Sequence, residues 1–253
     1  MFLAIDYDGT LVPFAVDRMS TLLAPAVRSS LDRLTADPAC LVAIVSGRQL
    51  KDLEYFLGGL KADLIGAHGQ QWRRRDGAVL DTSDTSELDR QLQEIAAKLQ
   101  RALPALDGQR FERKPGCLAL HLRALDSDEA AHVERAVHTL CRAGLPPRLT
   151  MHPFNGGFEF RNAAVDKGQA VARWLDSHNI SRASSRVGVF YLGDDRTDED
   201  AFIEVERRGG HGIKIGEGQT RASLRLKDHR AVHQLLEQLA QKAASEGGTH
   251  SDG

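Results

Sequence analysis

The hydrophobic pattern at the start of the chain alternates short apolar runs with amphipathic stretches. Phe2–Ile5, Leu41–Val45 and Asp63–Gly66 have the length and composition of buried strands. Between them, residues 22–34 and 49–56 carry apolar side chains at helical spacing. Strands that alternate with helices in this way predict a parallel sheet with helices packed against it. Residues 71–80 then predict a hairpin with an Asp-Gly turn.

The middle of the chain has a different pattern. Two helices are predicted from apolar residues at helical spacing, one from residue 88 to 103 and one from residue 130 to 141. Strands are predicted around them, and the first is interrupted near Pro115-Gly116: residues 111–122, 149–151 and 157–160. This segment therefore predicts an inserted α/β domain, residues 84–160.

After this insertion the chain returns to the first pattern. A helix is predicted after Asp166, a buried strand at residues 187–192, a short strand at His211–Ile215 and a final helix at residues 231–242. Residues 1–83 and 161–253 are therefore predicted to form one core domain.

Composition narrows the class of protein. The chain of 253 residues is 42% hydrophobic and 27% charged, which is typical of a soluble globular protein. A net charge of −2 argues against a broad nucleic-acid-binding surface, and no apolar run is long enough to cross a membrane. Cys40, Cys117 and Cys141 are odd in number and widely spaced, so reduced thiols in the cytoplasm are expected. The pattern does not predict the oligomeric state.

Polar residues follow the apolar strands where each of them ends. Because ligands of a parallel sheet bind at the carboxyl ends of its strands, these residues are expected to converge in one crevice. Two carboxylates one residue apart after a buried strand need a cation or a shared proton. The converging residues are Asp6 and Asp8 after the first strand, Ser46 and Arg48 after the second, Lys167 at a helix start, and Asp194, Asp195 and Asp198 after the strand at 187–192.

These clusters, in this order, resemble the four motifs of haloacid dehalogenase (HAD) superfamily phosphatases. The motifs are Asp6-x-Asp8-Gly9-Thr10, Ser46, Lys167 and Gly193-Asp194-Asp195-x-x-Asp198. Within the superfamily, the chain resembles the trehalose-6-phosphate phosphatases over nearly its whole length. The matching runs are Val45-Ser46-Gly47-Arg48, Gly66-Ala67-His68-Gly69, Glu112-x-Lys114 with His121-x-Arg123, and the run from Gly193 to Phe202. The resemblance implies a Rossmann-like HAD core with a parallel sheet and an inserted α/β type C2 cap domain.

The resemblance also implies a mechanism in the core. Asp6 is the expected nucleophile, and Asp8 the expected general acid and then general base. Mg²⁺ is the expected cofactor, held by the side chain of Asp6, the backbone carbonyl of Asp8 and the side chain of Asp194. Asp195 and Asp198 either bind the ion or support its ligands, and the sequence does not decide between these roles.

Further residues are expected to bind the substrate. Lys167 and Ser46 are expected at the phosphoryl oxygens, whereas Arg48 either faces the phosphate or forms a salt bridge. In the cap, four residues are expected to contact the disaccharide, although an exposed charged sheet face is the other interpretation for Arg123. These four are Lys114, His121, Arg123 and Glu159.

The resemblance therefore predicts an Mg²⁺-dependent phosphatase that acts on trehalose 6-phosphate and binds neither nucleic acid nor membrane. Two alternatives stay open. One is a related phosphatase of another glycosyl phosphate, such as mannosyl-3-phosphoglycerate, whose extra carboxylate calls for more cationic cap residues. The other is a non-catalytic sugar-phosphate sensor, against which the four intact motifs argue.

Overall fold

The chain divides into two compact units, which are described separately. The computed structural model describes residues 1–15, 18–81, 86–114, 116–154, 156–184 and 186–247. One unit comprises Met1–Asp81 and Asp166–Gly253, and the other comprises Thr82–Val165. The predicted domain limits after residues 83 and 160 stay a prediction, and the first of them lies outside the described residues.

Strands and helices alternate along most of the chain. The strands are β1 Phe2–Ile5, β2 Leu41–Val45, β3 Asp63–Gly66, β4 Gln71–Arg73, β5 Val79–Asp81, β6 Phe111–Lys114, β7 Cys117–His121, β8 Leu149–Phe154, β9 Gly157–Asn162, β10 Val189–Gly193, β11 His211–Ile215 and β12 Leu224–Leu226. The helices are α1 Pro25–Ala36, α2 Leu50–Leu57, α3 Ser86–Ala102, α4 Ser127–Arg142, α5 Lys167–Ser177, α6 Glu199–Arg207 and α7 His229–Gly247.

The first unit is built on a sheet of eight strands in the order β12-β11-β10-β1-β2-β3-β4-β5. The strands from β12 to β3 are parallel, and the β4–β5 hairpin adds two antiparallel strands at one edge. The chain proceeds from β1 outward to one side and later returns to the other side at β10. The strand order therefore reverses between β1 and β10, which is where open α/β sheets bind their ligands.

Helices cover both faces of this sheet. On one face, apolar residues of α1, α2 and α7 pack on the strands, among them Leu31, Leu53 and Leu236. On the other face, α5 and α6 contribute residues such as Val171 and Phe202. Because both faces are covered, the central strands are apolar throughout, which is why they are recognisable in the sequence.

The second unit is an antiparallel sheet with helices on one face. Its strand order is β6-β7-β9-β8. Leu118 and Phe160 of the sheet pack with α3 and α4, which contribute residues such as Leu92 and Val133. Along each strand, successive side chains point to alternate faces of the sheet, so every second side chain points away from the two helices. That opposite face carries polar and charged residues.

The predicted elements are confirmed, although the limits of several of them differ, and one further strand, β12, was not predicted. The predicted helix at 22–34 begins only at Pro25, since proline is well suited to the first helical position and its nitrogen cannot continue a preceding turn. β12 was not predicted because it is three residues long and largely exposed, so it lacks an apolar signal. Within the described ranges, no helix has the length and apolarity that crossing a bilayer requires.

Candidate active site

Three buried or partly buried carboxylates meet where the strand order reverses. Asp6 follows β1, and Asp194 and Asp198 follow β10. One oxygen from each of the three lies within 4.8 Å of the others. Gly9 allows this approach, since a Cβ on it would lie 2.1 Å from Asp194 Oδ2, and its φ of +82° also favours glycine. The structure therefore brings the two predicted acidic clusters together.

Lys167, at the first position of α5, joins two of these carboxylates. Its Nζ donates to Asp6 Oδ1 at 2.6 Å and to Asp198 Oδ1 at 2.7 Å, and all three side chains are almost fully buried. Burial of a charge is tolerated when the charge is paired and hydrogen-bonded in this way. Burial alone would lower the pKa of Lys167, but the charges of Asp198 and Asp6 and their hydrogen bonds raise it above its ordinary value, so Lys167 is a cation throughout the physiological range.

Asp198 is surrounded by donors. Its Oδ1 also accepts a hydrogen bond from the Tyr191 hydroxyl at 2.6 Å, and its Oδ2 accepts from the backbone amides of Asp194 at 3.0 Å and Asp195 at 2.9 Å. With Lys167, four donors converge on this fully buried carboxylate. Asp198 thus fixes both the ammonium of Lys167 and the loop that carries Asp194.

The site has an excess of negative charge. Burial, more than any other cause, raises the pKa of Asp6 well above its usual value, and the nearby Asp198 and Asp194 raise it further. Burial and the charge of Asp198 raise the pKa of Asp194 to about 7. Neighbouring buried carboxyl groups repel one another when they are all ionised. A divalent cation that binds their oxygens removes this repulsion. The residues present therefore fit Mg²⁺.

This excess charge predicts how stability depends on pH without a metal. The folded protein holds a proton on Asp194 up to about pH 7, whereas the ordinary value is 3.8. Stability should therefore fall as pH rises from about 4 to about 7, by an amount on the order of a few kcal/mol. Thermal unfolding in EDTA at pH 5 and pH 8 measures this slope, and Mg²⁺ should raise the midpoint more at pH 8. Asp194→Asn should flatten the slope, and an unchanged slope in that variant would refute this origin.

Asp8 and Arg48 form an ion pair beside the three carboxylates. Arg48 donates from Nε and Nη2 to the two oxygens of Asp8, at 2.7 and 2.6 Å, and also donates to Thr21 Oγ1 at 2.8 Å. Its guanidinium lies over the ring of Phe56 at 4.8 Å from the centroid. Of the two roles expected for Arg48, the structure shows the salt bridge. Its assignment to the phosphate stays a prediction.

Ser46 directly follows β2, at the same edge of the sheet. It is buried, and its Oγ accepts a hydrogen bond from the backbone amide of Arg48 at 3.1 Å. This contact orients the hydroxyl so that its own proton can be donated to a ligand. Ser46 therefore lies at the carboxyl end of the strand next to β1, on the edge of the sheet where the sequence predicts it.

Two residues of the site were not singled out in the sequence. Tyr191 holds Asp198, as described above. Lys214 of β11 is buried and donates from Nζ to the backbone carbonyl of Asp194. A lysine inside the apolar strand His211–Ile215 was the available signal for Lys214. Nothing distinguishes Tyr191 in the sequence from a core aromatic residue.

The predicted sugar-binding residues lie in the second unit, on the polar face of its sheet. Lys114 Nζ lies 3.6 Å from Glu112 Oε2 and 3.6 Å from Glu159 Oε1, and Glu112 also contacts His121 Nε2 at 2.9 Å. Lys114 and Glu159 are buried. Arg123 follows the end of β7 instead of lying in it. Three of the four predicted residues thus form one charged cluster with Glu112.

The sequence matches one protein family over most of its length. The family model described as Trehalose-phosphatase matches residues 4–230. A probable trehalose-phosphate phosphatase from Sinorhizobium fredii is 31% identical over 215 residues, which is 85% of this chain and 77% of that protein. The trehalose-phosphate phosphatase of Mycobacterium tuberculosis is 30% identical over 94% of this chain, which spans only 60% of it.

Solved structures match the fold. The C-terminal domain of trehalose-6-phosphate phosphatase from C. albicans superposes with a TM-score of 0.80 at 24% identity, covering 95% of this chain and 91% of that one. A haloacid dehalogenase-like hydrolase from B. subtilis superposes with a TM-score of 0.61 at 17% identity, covering 94% and 99%. These similarities confirm the predicted fold class, a Rossmann-like HAD core with a parallel sheet and an α/β cap.

Proposed function

The chain belongs to the trehalose-phosphatase family and is a phosphatase, and we propose that it hydrolyses trehalose 6-phosphate to trehalose and inorganic phosphate. The observation that carries this proposal is the largely buried cluster of Asp6, Lys167 and Asp194 at the reversal of the strand order. A nucleophilic carboxylate, an adjacent ammonium and a place for a divalent cation are what transfer of a phosphoryl dianion needs.

In the first step, Asp6 attacks phosphorus. Lys167 holds Asp6 Oδ1, and we assign the attack to Oδ2. A bond forms between this oxygen and phosphorus while the bond from phosphorus to the sugar oxygen breaks, and Asp8 gives its proton to the departing oxygen. In the second step, Asp8 takes a proton from water, the water oxygen bonds to phosphorus, and Asp6 is released as a carboxylate.

Asp8 can act as an acid only when its contact with Arg48 is broken. A bidentate pair with a guanidinium requires the carboxylate form of Asp8. The pKa of Arg48 is raised by Asp8 even though burial alone would lower it, so the arginine itself does not give up the proton. We therefore place the arrangement of the structure at a stage at which Asp8 has not yet taken up, from solvent, the proton that it gives in the first step.

We propose Mg²⁺ as the cofactor, held by the side chains of Asp6 and Asp194 and by the backbone carbonyl of Asp8. When bound, the ion neutralises charge on the phosphoryl oxygens and on Asp6. Asp198 is not assigned as a ligand, because its two oxygens already accept four hydrogen bonds. Its role is to orient Lys167 and the loop of Asp194. Asp195 caps the short turn Arg196–Asp198 and supports the same loop.

The charged cluster of the second unit is proposed to bind the disaccharide. Carboxylate, ammonium and imidazole groups held together by mutual contacts offer paired donors and acceptors to sugar hydroxyls. The apolar face of the same sheet is occupied by α3 and α4. Lys114, His121 and Glu159 therefore present a fixed polar surface, to which we add Arg123.

The role of Glu159 is tested with two substrates. Glu159→Ala should lower kcat/KM for trehalose 6-phosphate by about 100-fold, since a buried partner of a sugar hydroxyl is lost, and by less than threefold for a small aryl phosphate. Steady-state kinetics on both esters measure the ratio. Glu134→Ala, at an exposed position of α4, is the matched control and should change neither value. Equal losses on both esters would remove Glu159 from sugar recognition.

The substrate is tested with a panel of phosphate esters. Phosphate release from trehalose 6-phosphate, mannosyl-3-phosphoglycerate and glucose 6-phosphate is measured with Mg²⁺ and with EDTA. We expect the highest kcat/KM with trehalose 6-phosphate and no release in EDTA. Preference for the phosphoglycerate would favour the other glycosyl phosphatase, and binding without release would favour the sensor.

We place the reaction in the cytoplasm, in keeping with the separated, free cysteines.

A further inference from the structure

A strained loop follows β3 next to Ser46. The loop is Gly66-Ala67-His68-Gly69, in which Ala67 and His68 have φ values of +47° and +56°. Two consecutive residues other than glycine in the left-handed region are unusual. Such conformations persist only where the surroundings enforce them, and they concentrate at functional sites. The mechanism described above does not use this loop.

Backbone contacts attach one side of the loop to the end of β2. The amide of His68 donates to the carbonyl of Ser46 at 3.0 Å, and the amide of Ala67 donates to the carbonyl of Arg48 at 2.6 Å. A Cβ on Gly66 would lie 2.7 Å from the amide nitrogen of Leu50, so the backbones pass very close to each other. The loop thus follows the turn that carries Ser46.

The other side of the loop contacts α5. The carbonyl of Gly69 accepts a hydrogen bond from the side chain of Arg173. A Cβ on Gly69 would lie 2.7 Å from the Cβ of Ala170. Both residues belong to α5, which begins with Lys167. The loop therefore lies between the two elements that carry Ser46 and Lys167.

The imidazole of His68 packs directly on Gly47. A Cβ on Gly47 would lie 2.7 Å from both Cε1 and Nε2 of His68, so the ring occupies the space where a side chain of residue 47 would begin. His68 is 6% exposed. Because protein interiors are densely packed, the ring restricts the positions that Gly47 and its neighbour Ser46 can take.

We propose that His68 is a positioning residue for phosphoryl transfer, which acts by holding the Ser46-Gly47 turn so that the Ser46 hydroxyl meets the phosphoryl group. This inference rests on the proposed function. Because the phosphoryl group is common to every substrate, the effect of His68 should be independent of the sugar. A small displacement of a positioned donor lowers the rate of the chemical step without abolishing the fold.

The first test removes the ring and keeps a residue that tolerates the left-handed backbone. His68→Gly should lower kcat/KM about 10-fold for trehalose 6-phosphate and by the same factor for an aryl phosphate, and should raise the inhibition constant of inorganic phosphate. Ala67→Gly relieves strain in the same loop without touching the ring and should keep at least about half of the activity. His68→Asn, which also tolerates the left-handed region, should repeat the loss if His68→Gly is unstable.

The second test asks whether His68 acts through Ser46. In a Ser46→Ala background, His68→Gly should change kcat/KM by less than about twofold, since the group that it positions is gone. The proposal would be overturned if His68→Gly still lost the full 10-fold in the Ser46→Ala background. It would also be overturned if the loss caused by His68→Gly alone disappeared when this variant and the wild type are assayed well below their melting temperatures. The wild-type protein separates the two hypotheses: no phosphate release from any ester would refute the proposed function instead.

Discussion

Replacing Asp6 with asparagine should abolish phosphate release from trehalose 6-phosphate, with kcat lower by about 10⁴-fold or more. The amide keeps the shape of the side chain but cannot form the aspartyl-phosphate. The fold should persist, because burial already raises the pKa of Asp6 and a neutral group at this position relieves that unfavourable charge. Near neutral pH we therefore expect a melting temperature equal to or above that of the wild type.

Phosphate release and thermal unfolding are measured on the same preparation of Asp6→Asn. Asp76→Asn, at an exposed turn of the β4–β5 hairpin, makes the same chemical change away from the site and should leave activity unaltered. Turnover by Asp6→Asn within about 100-fold of the wild type would rule out the covalent role of Asp6. A collapsed melting temperature would instead show that Asp6 is needed for the fold.

The second large effect is expected for Lys167→Met. This variant should lose about 10³-fold in kcat/KM, since the phosphoryl oxygens and Asp6 lose their ammonium. It should also be less stable at pH 8 by about 3–5 kcal/mol, because Asp6 and Asp198 are left buried without their partner. The loss of stability should be smaller at pH 5, where a carboxylate can take up a proton. Lys167 itself is charged at both pH values, as its pKa lies above the ordinary value.

Urea unfolding at the two pH values and steady-state kinetics provide the measurements for Lys167→Met. Lys51→Met, at an exposed position of α2, is the matched control and should change neither activity nor stability appreciably. If the two methionine variants lose equal stability, the buried ion cluster does not support the fold. A loss of activity under tenfold would remove Lys167 from the catalytic groups.

Much of the core could be predicted because its central strands are buried on both faces. β1, β2 and β3 coincide with their predicted limits, since β1 and β2 are continuous apolar runs and β3 is short, buried and ends at a glycine. The polar residues that follow these strands stand out against the apolar runs, so the edge of the sheet that carries the candidate active site could be predicted as well. β12 could not be found, because an exposed strand of three residues depends on its neighbour β11 and not on its own sequence.

The roles of individual polar residues needed the three-dimensional contacts. Arg48 follows β2 in the same motif as Ser46, yet its guanidinium pairs with Asp8, 40 residues away in the chain. The sequence likewise did not decide whether Asp198 binds the ion, as Asp194 is expected to do, or supports its ligands. The hydroxyl of Tyr191 and two backbone amides, which converge on Asp198, distinguish the two aspartates. Such partners come from the packing of separate elements and leave no local pattern.

That Asp6 carries the phosphoryl group between the two steps is tested most directly by trapping it. The protein is mixed with trehalose 6-phosphate and Mg²⁺, quenched in acid during turnover and reduced with borohydride, which converts an acyl phosphate to an alcohol. Mass spectrometry of the peptide that contains Asp6 and Asp8 should locate the reduced side chain at Asp6, only when substrate is present. Continued phosphate release with no reduced carboxylate, or with the modification at Asp8, would contradict this mechanism.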